Sequence, residues 1–414
     1  MKERVVRLLA PPGSSTTERL LRVLGLLLFL GLGVRCGLKA HEGSYDFDGF
    51  HRAAEHVLAQ HRVLDAENVA RYLPHFQVLH VPFALLPVAA AGVLWYLLSV
   101  AALVATPREL ERLSGVAPRA QWPAWFVAAP YVIDNLALGQ SGPVLLWATL
   151  AGVNACRGAA PVRGGALLGL AALFKVPVVA LAAPALLLGG VRRGARTLVG
   201  IAAALCVTSA ALVAFVGVDD AAESTARWVE TIRTKQSPQG MVEQDQSLRS
   251  NNQSLPITLA RTFGDLGGVR VKSAVRLARR PLPEIWRVAW VTVALLAVLG
   301  LAVVKVAERR GFDREAWLVV FSLAALGMLF VSPLVWTHYF MWALPALLAL
   351  RAAPRKLVVA GCISIAGLAV PPARALGVHL LLAIVLYVAV AVRYLRAYLR
   401  ARDAKSGDAS VGDR

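Results

Sequence analysis

The sequence predicts an all-α polytopic membrane protein. Of its 414 residues, 57% are hydrophobic and only 17% are charged, whereas soluble proteins average about 25% charged residues. Apolar runs of a length that crosses a bilayer as a helix recur along the chain. Basic residues gather in the gaps between these runs. Together these observations predict about 12 transmembrane helices, with interfacial helices in the first external loop.

The apolar runs give the expected spans in chain order. The second run is long enough to tilt, or to kink at Pro82 or Pro87. The run 165–190 holds Lys175 and Pro177 near its middle and is basic on both flanks, which predicts a hairpin of two short helices. The expected spans are 20–38, 76–105, 122–138, 141–156, the two arms of 165–190, 197–216, 284–304, 315–333, 337–351, 356–372 and 376–394.

The positions of Lys and Arg predict the orientation. By the positive-inside rule, the basic short loops face the cytoplasm, and the loops without Lys or Arg (139–141 and 332–338) face outward. Both termini are then cytoplasmic, in the inner (plasma) membrane, and the polar segments 39–75 and 217–283 are external catalytic loops. Residues 1–402 are expected to form one integral membrane domain, and 403–414 a disordered tail. The basic regions are the N-terminus, 106–121, 157–163, 191–196, 305–314, 351–356 and the C-terminal tail.

The net charge of +19 would suggest a nucleic-acid partner in a soluble protein. Here the basic residues lie beside membrane-length runs, so they set topology and contact anionic membrane lipids. No nucleic-acid partner is predicted. The four cysteines show no metal-ligand or redox spacing, so they imply neither a disulfide nor a metal site.

Two carboxylates, Asp46 and Asp48, follow the first expected span. After Asp48 the apolar residues repeat with helical periodicity, which predicts an interfacial helix with Arg52 and its neighbours on the polar face. Asp48 is interpreted as the N-cap of this helix, and Asp46 as either a solvated loop residue or a catalytic base. In an extended segment the pair could hold a metal; in a helix beginning at Asp46 the two would diverge.

Several polar residues interrupt apolar runs or end them. Lys175 is costly within an apolar run, by about 2.5–3.5 kcal/mol at a helix centre, so it is a candidate for binding phosphate unless it only snorkels to the surface. Asn135 and Gln140 end one run and could be mere interfacial residues. Trp336 and His338 begin another, where Trp could simply belong to the aromatic belt.

The segment 217–283 contains Asn252-Gln253-Ser254, formally a glycosylation acceptor sequence, followed by Arg261. An external carboxylate with cations at the membrane boundary suits group transfer from a lipid-borne phosphate to a hydroxyl. The base takes the hydroxyl proton, and the cations stabilise the leaving phosphate. A transporter or flippase for lipid-linked sugars is the alternative, and a phosphate-releasing or ligase-type enzyme is another.

The chain resembles glycosyltransferase family 87, the polyprenol-phosphate-mannose-dependent membrane mannosyltransferases of the GT-C superfamily, over about residues 20–395. Phe50 stands where the family usually has tyrosine, and the usual Tyr-Pro-Pro after Tyr72 is absent. The similar elements are Asp46-Phe47-x-x-Phe50-x-x-Ala53-Ala54, Tyr72 to Pro87, Asn135-x-x-x-Gly139-Gln140, Leu168-Gly169-Leu170-Ala171 to Lys175-x-Pro177, Asn252-Gln253-Ser254 with Arg261, and Ser332-Pro333…Trp336…His338.

This resemblance implies a GT-C-like fold and an inverting hexosyltransferase that builds cell-envelope glycolipid, with mannose as the expected sugar. The donor would be a polyprenyl-phosphate sugar and the acceptor a hydroxyl of a lipid or glycan. Asp46 would be the general base, and no cofactor would be needed because the lipid-linked sugar is a substrate. The residues expected to bind donor or acceptor are Asp48, Asn135, Gln140, Lys175, Asn252, Gln253, Arg261, Trp336 and His338.

Overall fold

The computed structural model describes residues 16–43, 45–65, 72–235, 237–243, 248–267, 275–350 and 354–411. These residues are mainly helical and form no β-sheet; only two isolated β-bridges occur among them, one of which joins Asn252 to Trp336. The predicted all-α polytopic membrane protein is confirmed.

By length and hydropathy, five helices of the described part can each cross a membrane, and a sixth span results if one bent pair of helices counts as one. Three shorter apolar helices accompany them. This criterion therefore counts fewer spans than the 12 expected. The difference arises because several expected spans are divided into helices too short to cross a bilayer alone.

The first expected span is helix α1 (Thr16–His41), and the interfacial helix that follows is α2 (Asp46–Gln60). The second expected span is divided at its prolines, as anticipated, because proline cannot donate a helical hydrogen bond. Its parts are α3 (Pro74–Leu79), α4 (Val81–Ala84) and the long α5 (Val88–Ser114).

After a 3₁₀ turn at Pro118–Ala120 come α6 (Trp122–Leu138) and α7 (Gly142–Arg157), bent by 119° at their junction. The expected hairpin consists of α8 (Pro161–Phe174), a 3₁₀ segment Val176–Ala182 and α9 (Ala183–Leu188), followed by α10 (Gly190–Val216). Gly165 lies against Thr197, and Gly169 lies against Ile201. Helices α8 and α10 therefore run parallel, so the chain must return between them, as the hairpin prediction requires.

The long polar segment is largely helical. It holds α11 (Val218–Lys235), α12 (Pro238–Glu243) and α13 (Leu255–Phe263). The remaining helices are α14 (Leu282–Arg309), α15 (Arg314–Val331), a 3₁₀ segment Thr337–Ala343, α16 (Leu344–Ala349), α17 (Pro354–Ala369), α18 (Pro371–Ala375) and α19 (Val378–Val411).

Residues 403–411 continue helix α19, so the expectation of a disordered tail is wrong for this part. Ala401, Arg402, Ala404 and Lys405 have high helix propensity, which allows the last span to continue into the polar tail.

The ends of several helices meet on one side of the bundle. His75 of α3 lies 2.9 Å from the hydroxyl of Ser209 near the end of α10, and Tyr45 contacts the end of α6. Helix α2 packs there on an aromatic cluster in which Phe47 stacks on Trp95. The polar residues singled out from the sequence gather at this same end.

Candidate active site

The start of helix α2 is held against the last turn of helix α6. Carbonyl groups at a helix C-terminus lack partners within the helix, and side chains from other elements supply them here. Tyr45 donates a hydrogen bond to the carbonyl of Leu136 at 3.2 Å, and Lys39 donates to that of Ala137 at 3.2 Å. These contacts fix the position of Asp46, the first residue of α2.

Asp46 faces the interior of a cavity and accepts a hydrogen bond of 2.5 Å from Nε2 of Gln140. Desolvation by the surrounding protein raises the pKa of Asp46, while the Gln140 hydrogen bond and then the charge of Lys175 oppose the rise. A carboxylate whose pKa is raised accepts a proton more readily at neutral pH. This geometry suits a general base.

Asp48 does not cap the helix, so that interpretation is wrong. Tyr45 occupies the N-cap position, and Asp48 lies in the first turn, where its Oδ2 pairs with Nη2 of Arg52 at 2.7 Å. Asp46 and Asp48 thus have separate partners and diverge, as expected for a helix that begins at Asp46. His51, assigned to the polar face, is instead buried, with Nε2 2.9 Å from the carbonyl of Leu86.

The cavity beside Asp46 has a volume of about 780 Å³, within the usual range for ligand sites. Phe50, Tyr72 and Phe174 give it an aromatic wall. Six of the candidate residues line it, so positions up to 292 residues apart in the chain meet there. They are Asp46, Asp48, Gln140, Lys175, Trp336 and His338.

Lys175 reaches the cavity because helix α8 ends at Phe174. Pro177 cannot continue helix α8, because it lacks the N–H of a helical hydrogen bond and its ring clashes with the carbonyl four residues earlier, and Lys175 is extended. Its ammonium nitrogen lies 3.4 Å from the centre of the Tyr339 ring, a cation–π contact. Lys175 is also close enough to Asp46 for their charges to interact. A cation therefore faces the same space as the candidate base.

Asp134 is a second carboxylate in this cavity, and the sequence analysis did not select it. Thr337 donates a hydrogen bond of 3.2 Å to Oδ2 of Asp134, and Nδ1 of His338 lies 3.7 Å from the same oxygen. The opposite ring nitrogen of His338, Nε2, is buried without a partner among the described residues. Asp134 is thus held by Thr337 beside His338 in the cavity.

Four candidate residues do not line the cavity; they hold the segments that do. Asn135 donates through Nδ2 to the carbonyl of His338 at 2.7 Å. Asn252 accepts through Oδ1 from the backbone N–H of Val335 at 3.1 Å. Gln253 and Arg261 bind only backbone carbonyl groups in the described part of the chain. In this structure all four position the backbone around the cavity.

Five further cavity residues were missed. A carboxylate at the end of an apolar run is costly, and this signal could have identified Asp134. Arg374 lies between two apolar runs, and its charge there was a weaker indication of a functional residue. Nothing in the local sequence distinguishes the others. The missed residues are Asp134, Trp228, Arg249, Tyr339 and Arg374.

The site combines an exposed carboxylate, an opposing ammonium group and a cavity at one end of a helical bundle. This arrangement can accept a proton from a hydroxyl group and bind an anionic leaving group. It would serve transfer of a group between two substrates that both approach from the membrane.

The model of glycosyltransferase family 87 matches residues 71–333, more than half of the chain. The matched region includes Gln140, Lys175 and Arg261, whereas Asp46 precedes it and His338 follows it. No curated protein and no solved structure matches the chain. The family match and the apolar helices lead to one conclusion: this chain belongs to glycosyltransferase family 87 and is a membrane glycosyltransferase, acting on a sugar donor and an acceptor.

Proposed function

We propose that the protein transfers a hexose, specifically mannose, from a polyprenyl-phosphate donor to a hydroxyl group of a lipid or glycan acceptor of the cell envelope, with inversion. The observation that carries the proposal is the pairing of Asp46 with Lys175 across one cavity. The resemblance to GT-C mannosyltransferases supports the choice of donor and sugar.

Asp46 acts as the general base. Its carboxylate is open to the cavity, and the hydrogen bond from Gln140 holds it in place. The acceptor hydroxyl gives its proton to Asp46 as its oxygen attacks the anomeric carbon. The carbon–oxygen bond to the acceptor forms while the bond to the donor phosphate breaks, and the electron pair of the broken bond leaves with the phosphate. Because the attack is direct, the anomeric configuration inverts.

Lys175 binds the departing phosphate. The ammonium group is half-buried beside Tyr339, and a charge in a partly desolvated site interacts strongly with an anion. Since polyprenyl phosphate leaves as an anion, no carboxylic acid is needed to protonate it, in contrast to glycoside hydrolysis. The reaction as proposed needs no cofactor or metal.

We place the cavity on the external face of the plasma membrane, with both termini in the cytoplasm. The support is the positive-inside rule, because the short basic loops all belong to the opposite side of the predicted topology.

The test uses isolated membranes that contain the full chain, supplied with radiolabelled polyprenyl-phosphate mannose, with rates normalised to folded protein. Asp46→Asn removes the base and should lower kcat by about 10²–10⁴-fold while donor binding is kept. Lys175→Ala removes a charge-assisted contact and should lower kcat/KM by roughly 10- to 150-fold.

Asp48→Asn is the matched control. The Asp48 side chain is 8% exposed and that of its partner Arg52 is 59% exposed. Asparagine keeps the size of the side chain and an oxygen that accepts from Arg52, so the activity of the variant should stay near wild type. An inactive Asp48→Asn with an active Asp46→Asn would refute the assignment of the base. Loss of activity in both variants together with chelator sensitivity would favour an Asp-x-Asp metal site. Release of free mannose, or movement of donor lipid without a covalent product, would favour the hydrolytic and flippase alternatives.

A further inference from the structure

Two arginines, Arg249 and Arg374, line the cavity without a role in the reaction described above. They come from segments 125 residues apart, before helix α13 and within helix α18. Among the described residues neither forms an ion pair, and Nε of Arg374 is buried without a hydrogen-bond partner. No described carboxylate is therefore in direct contact with either arginine of the cavity.

Buried polar side chains fix the two segments relative to each other. Arg261, with 0% exposure, donates through Nη1 to the carbonyl of Arg249 at 2.9 Å and through Nε to that of Ala375 at 3.0 Å. Gln253 donates through Nε2 to the carbonyls of Arg374 at 2.6 Å and Ser250 at 2.7 Å. The backbones that carry Arg249 and Arg374 are thus joined from behind by two side chains.

This arrangement places the positive charges of Arg261 and Arg374 close to each other. Burial, and then the positive charge of Arg374, lower the pKa of Arg261 to about 10. One further nitrogen of Arg261, Nη2, is buried without a partner in the described part of the structure. Unpaired buried donors and neighbouring like charges are both unfavourable. An anion bound by Arg249 and Arg374 would offset the repulsion between these like charges.

The surroundings of Arg374 identify the source of such an anion. It lies between the apolar helices α17 and α19, and its neighbours Val370 and Leu376 are each 45% exposed. Exposed apolar residues on both sides of a cation are typical of the membrane boundary, the depth at which lipid head groups carry their phosphates. A lipid-borne phosphate fits this place better than a soluble anion.

Arg374 has different charged neighbours from Lys175, which contacts the donor in the proposed function. The charge of Lys175 interacts with Asp46 and His338, whereas that of Arg374 interacts with Asp134 and Arg261. Asp134, which contacts Thr337 and His338, lies between the two groups of charges. The cavity of about 780 Å³ has room for two lipid head groups.

We propose that Arg249 and Arg374 form a second phosphate-binding subsite, which holds the phosphate group of an anionic acceptor lipid while Lys175 holds that of the donor. The assignment to the acceptor rests on the proposed function. The acceptor is then a phosphate-bearing lipid, and its charge is what selects it. Arg261 and Gln253 are positioning residues of this subsite.

The test is equilibrium binding to the purified full chain in a neutral detergent. The probes are dioctanoyl phosphatidylglycerol, dioctanoyl phosphatidylcholine, inorganic phosphate and farnesyl phosphate, the last standing for the donor carrier. Arg249→Gln and Arg374→Gln should each weaken phosphatidylglycerol binding by about tenfold, the effect of a lost charge-assisted contact, and leave farnesyl phosphate binding unchanged. Lys175→Met should do the opposite.

Arg227→Gln is the control, since this arginine pairs with Glu223 at 3.0 Å outside the cavity. Arg374→Lys keeps the charge and should recover part of the affinity for phosphatidylglycerol. Because Arg249 is exposed, Arg249→Gln tests the subsite without disturbing the core. Phosphatidylglycerol binding that is equal in Arg374→Gln and Arg227→Gln would overturn the subsite. Weakened farnesyl phosphate binding in the arginine variants would assign them to the donor and overturn the division of roles.

Inorganic phosphate that binds as tightly as phosphatidylglycerol would overturn the assignment to a lipid. Phosphatidylcholine that binds as tightly would exclude selection by charge. Because these measurements need no turnover, they are independent of the transfer assay. If mannose transfer fails and the opposite effects of the arginine and lysine variants persist, only the proposed function is refuted.

Discussion

Gly139, between helices α6 and α7, offers a direct test of how the site is assembled. Its φ of +70° lies in the left-handed region, as is common for the residue that ends a helix. A Cβ added there would lie 2.5 Å from Cε1 and 2.7 Å from Cε2 of the Tyr45 ring. Tyr45 immediately precedes Asp46, and Gly139 immediately precedes Gln140. Gly139→Ala therefore disturbs both partners of the Asp46–Gln140 hydrogen bond.

Two costs add up in this variant. A side chain in the left-handed region costs about 1–2 kcal/mol, and overlap with a packed ring costs about 1–3 kcal/mol. Gly311 has a φ of +76° and nothing within 4 Å of an added Cβ, so Gly311→Ala incurs only the first cost. We expect Gly139→Ala to be less stable than Gly311→Ala by about 1–3 kcal/mol.

The activities should differ more than the stabilities. A displacement of about 1 Å at a reacting group can cost about 10²-fold in rate, so Gly139→Ala should lose about that factor and Gly311→Ala almost nothing. The assay is mannosyl transfer per folded protein, with thermal unfolding measured in the same detergent. Tyr45→Leu shortens the obstructing side chain and should restore part of the loss in the double variant. Equal activity in both glycine variants, or no rescue, would refute the reasoning.

Three further predictions concern charge and topology. The raised pKa of Asp46 should place the acid limb of the pH profile of kcat/KM above the ordinary aspartate range. Since the charge of Lys175 opposes this rise, Lys175→Met should move the limb to higher pH, and Lys175→Arg should not. A limb that moves to lower pH would contradict the interaction between the two residues. Asp134→Asn should lower kcat/KM by about tenfold, because the hydrogen bond from Thr337 then no longer reaches a charged group, and the effect should vanish in a Thr337→Val background; additive effects would exclude a shared role. A cysteine at Ser44, in a chain without native cysteines, should react with an impermeant thiol reagent in intact cells, and labelling only after lysis would reverse the orientation.

The structure could be predicted from the sequence where neighbouring residues determine the backbone conformation. The helix break at Lys175 follows from Pro177, which cannot continue a helix, and the divergence of Asp46 and Asp48 follows from helical geometry. The boundary of helix α2 was misplaced because Tyr45, not a polar residue, holds the N-cap position, and its place depends on the distant carbonyl of Leu136.

Contacts between distant segments could not be predicted. Asp134 and Thr337 are 203 residues apart, and no periodicity or spacing connects them. The element around Gln253 and Arg261 illustrates a second limit. Its composition marks it as important, but the same side chains could bind either a substrate or backbone carbonyls. The structure shows the latter, because both residues are buried behind the arginines that face the cavity.

The contact between Lys175 and Tyr339 has a consequence for turnover. The ring replaces part of the hydration that the ammonium group loses in the cavity. Under the proposed function, the ring and the phosphate compete for the same ammonium group, and this competition weakens phosphate binding by at most about 0.5–2 kcal/mol. Weaker phosphate binding would shorten the residence time of the released carrier lipid and so limit inhibition by the product.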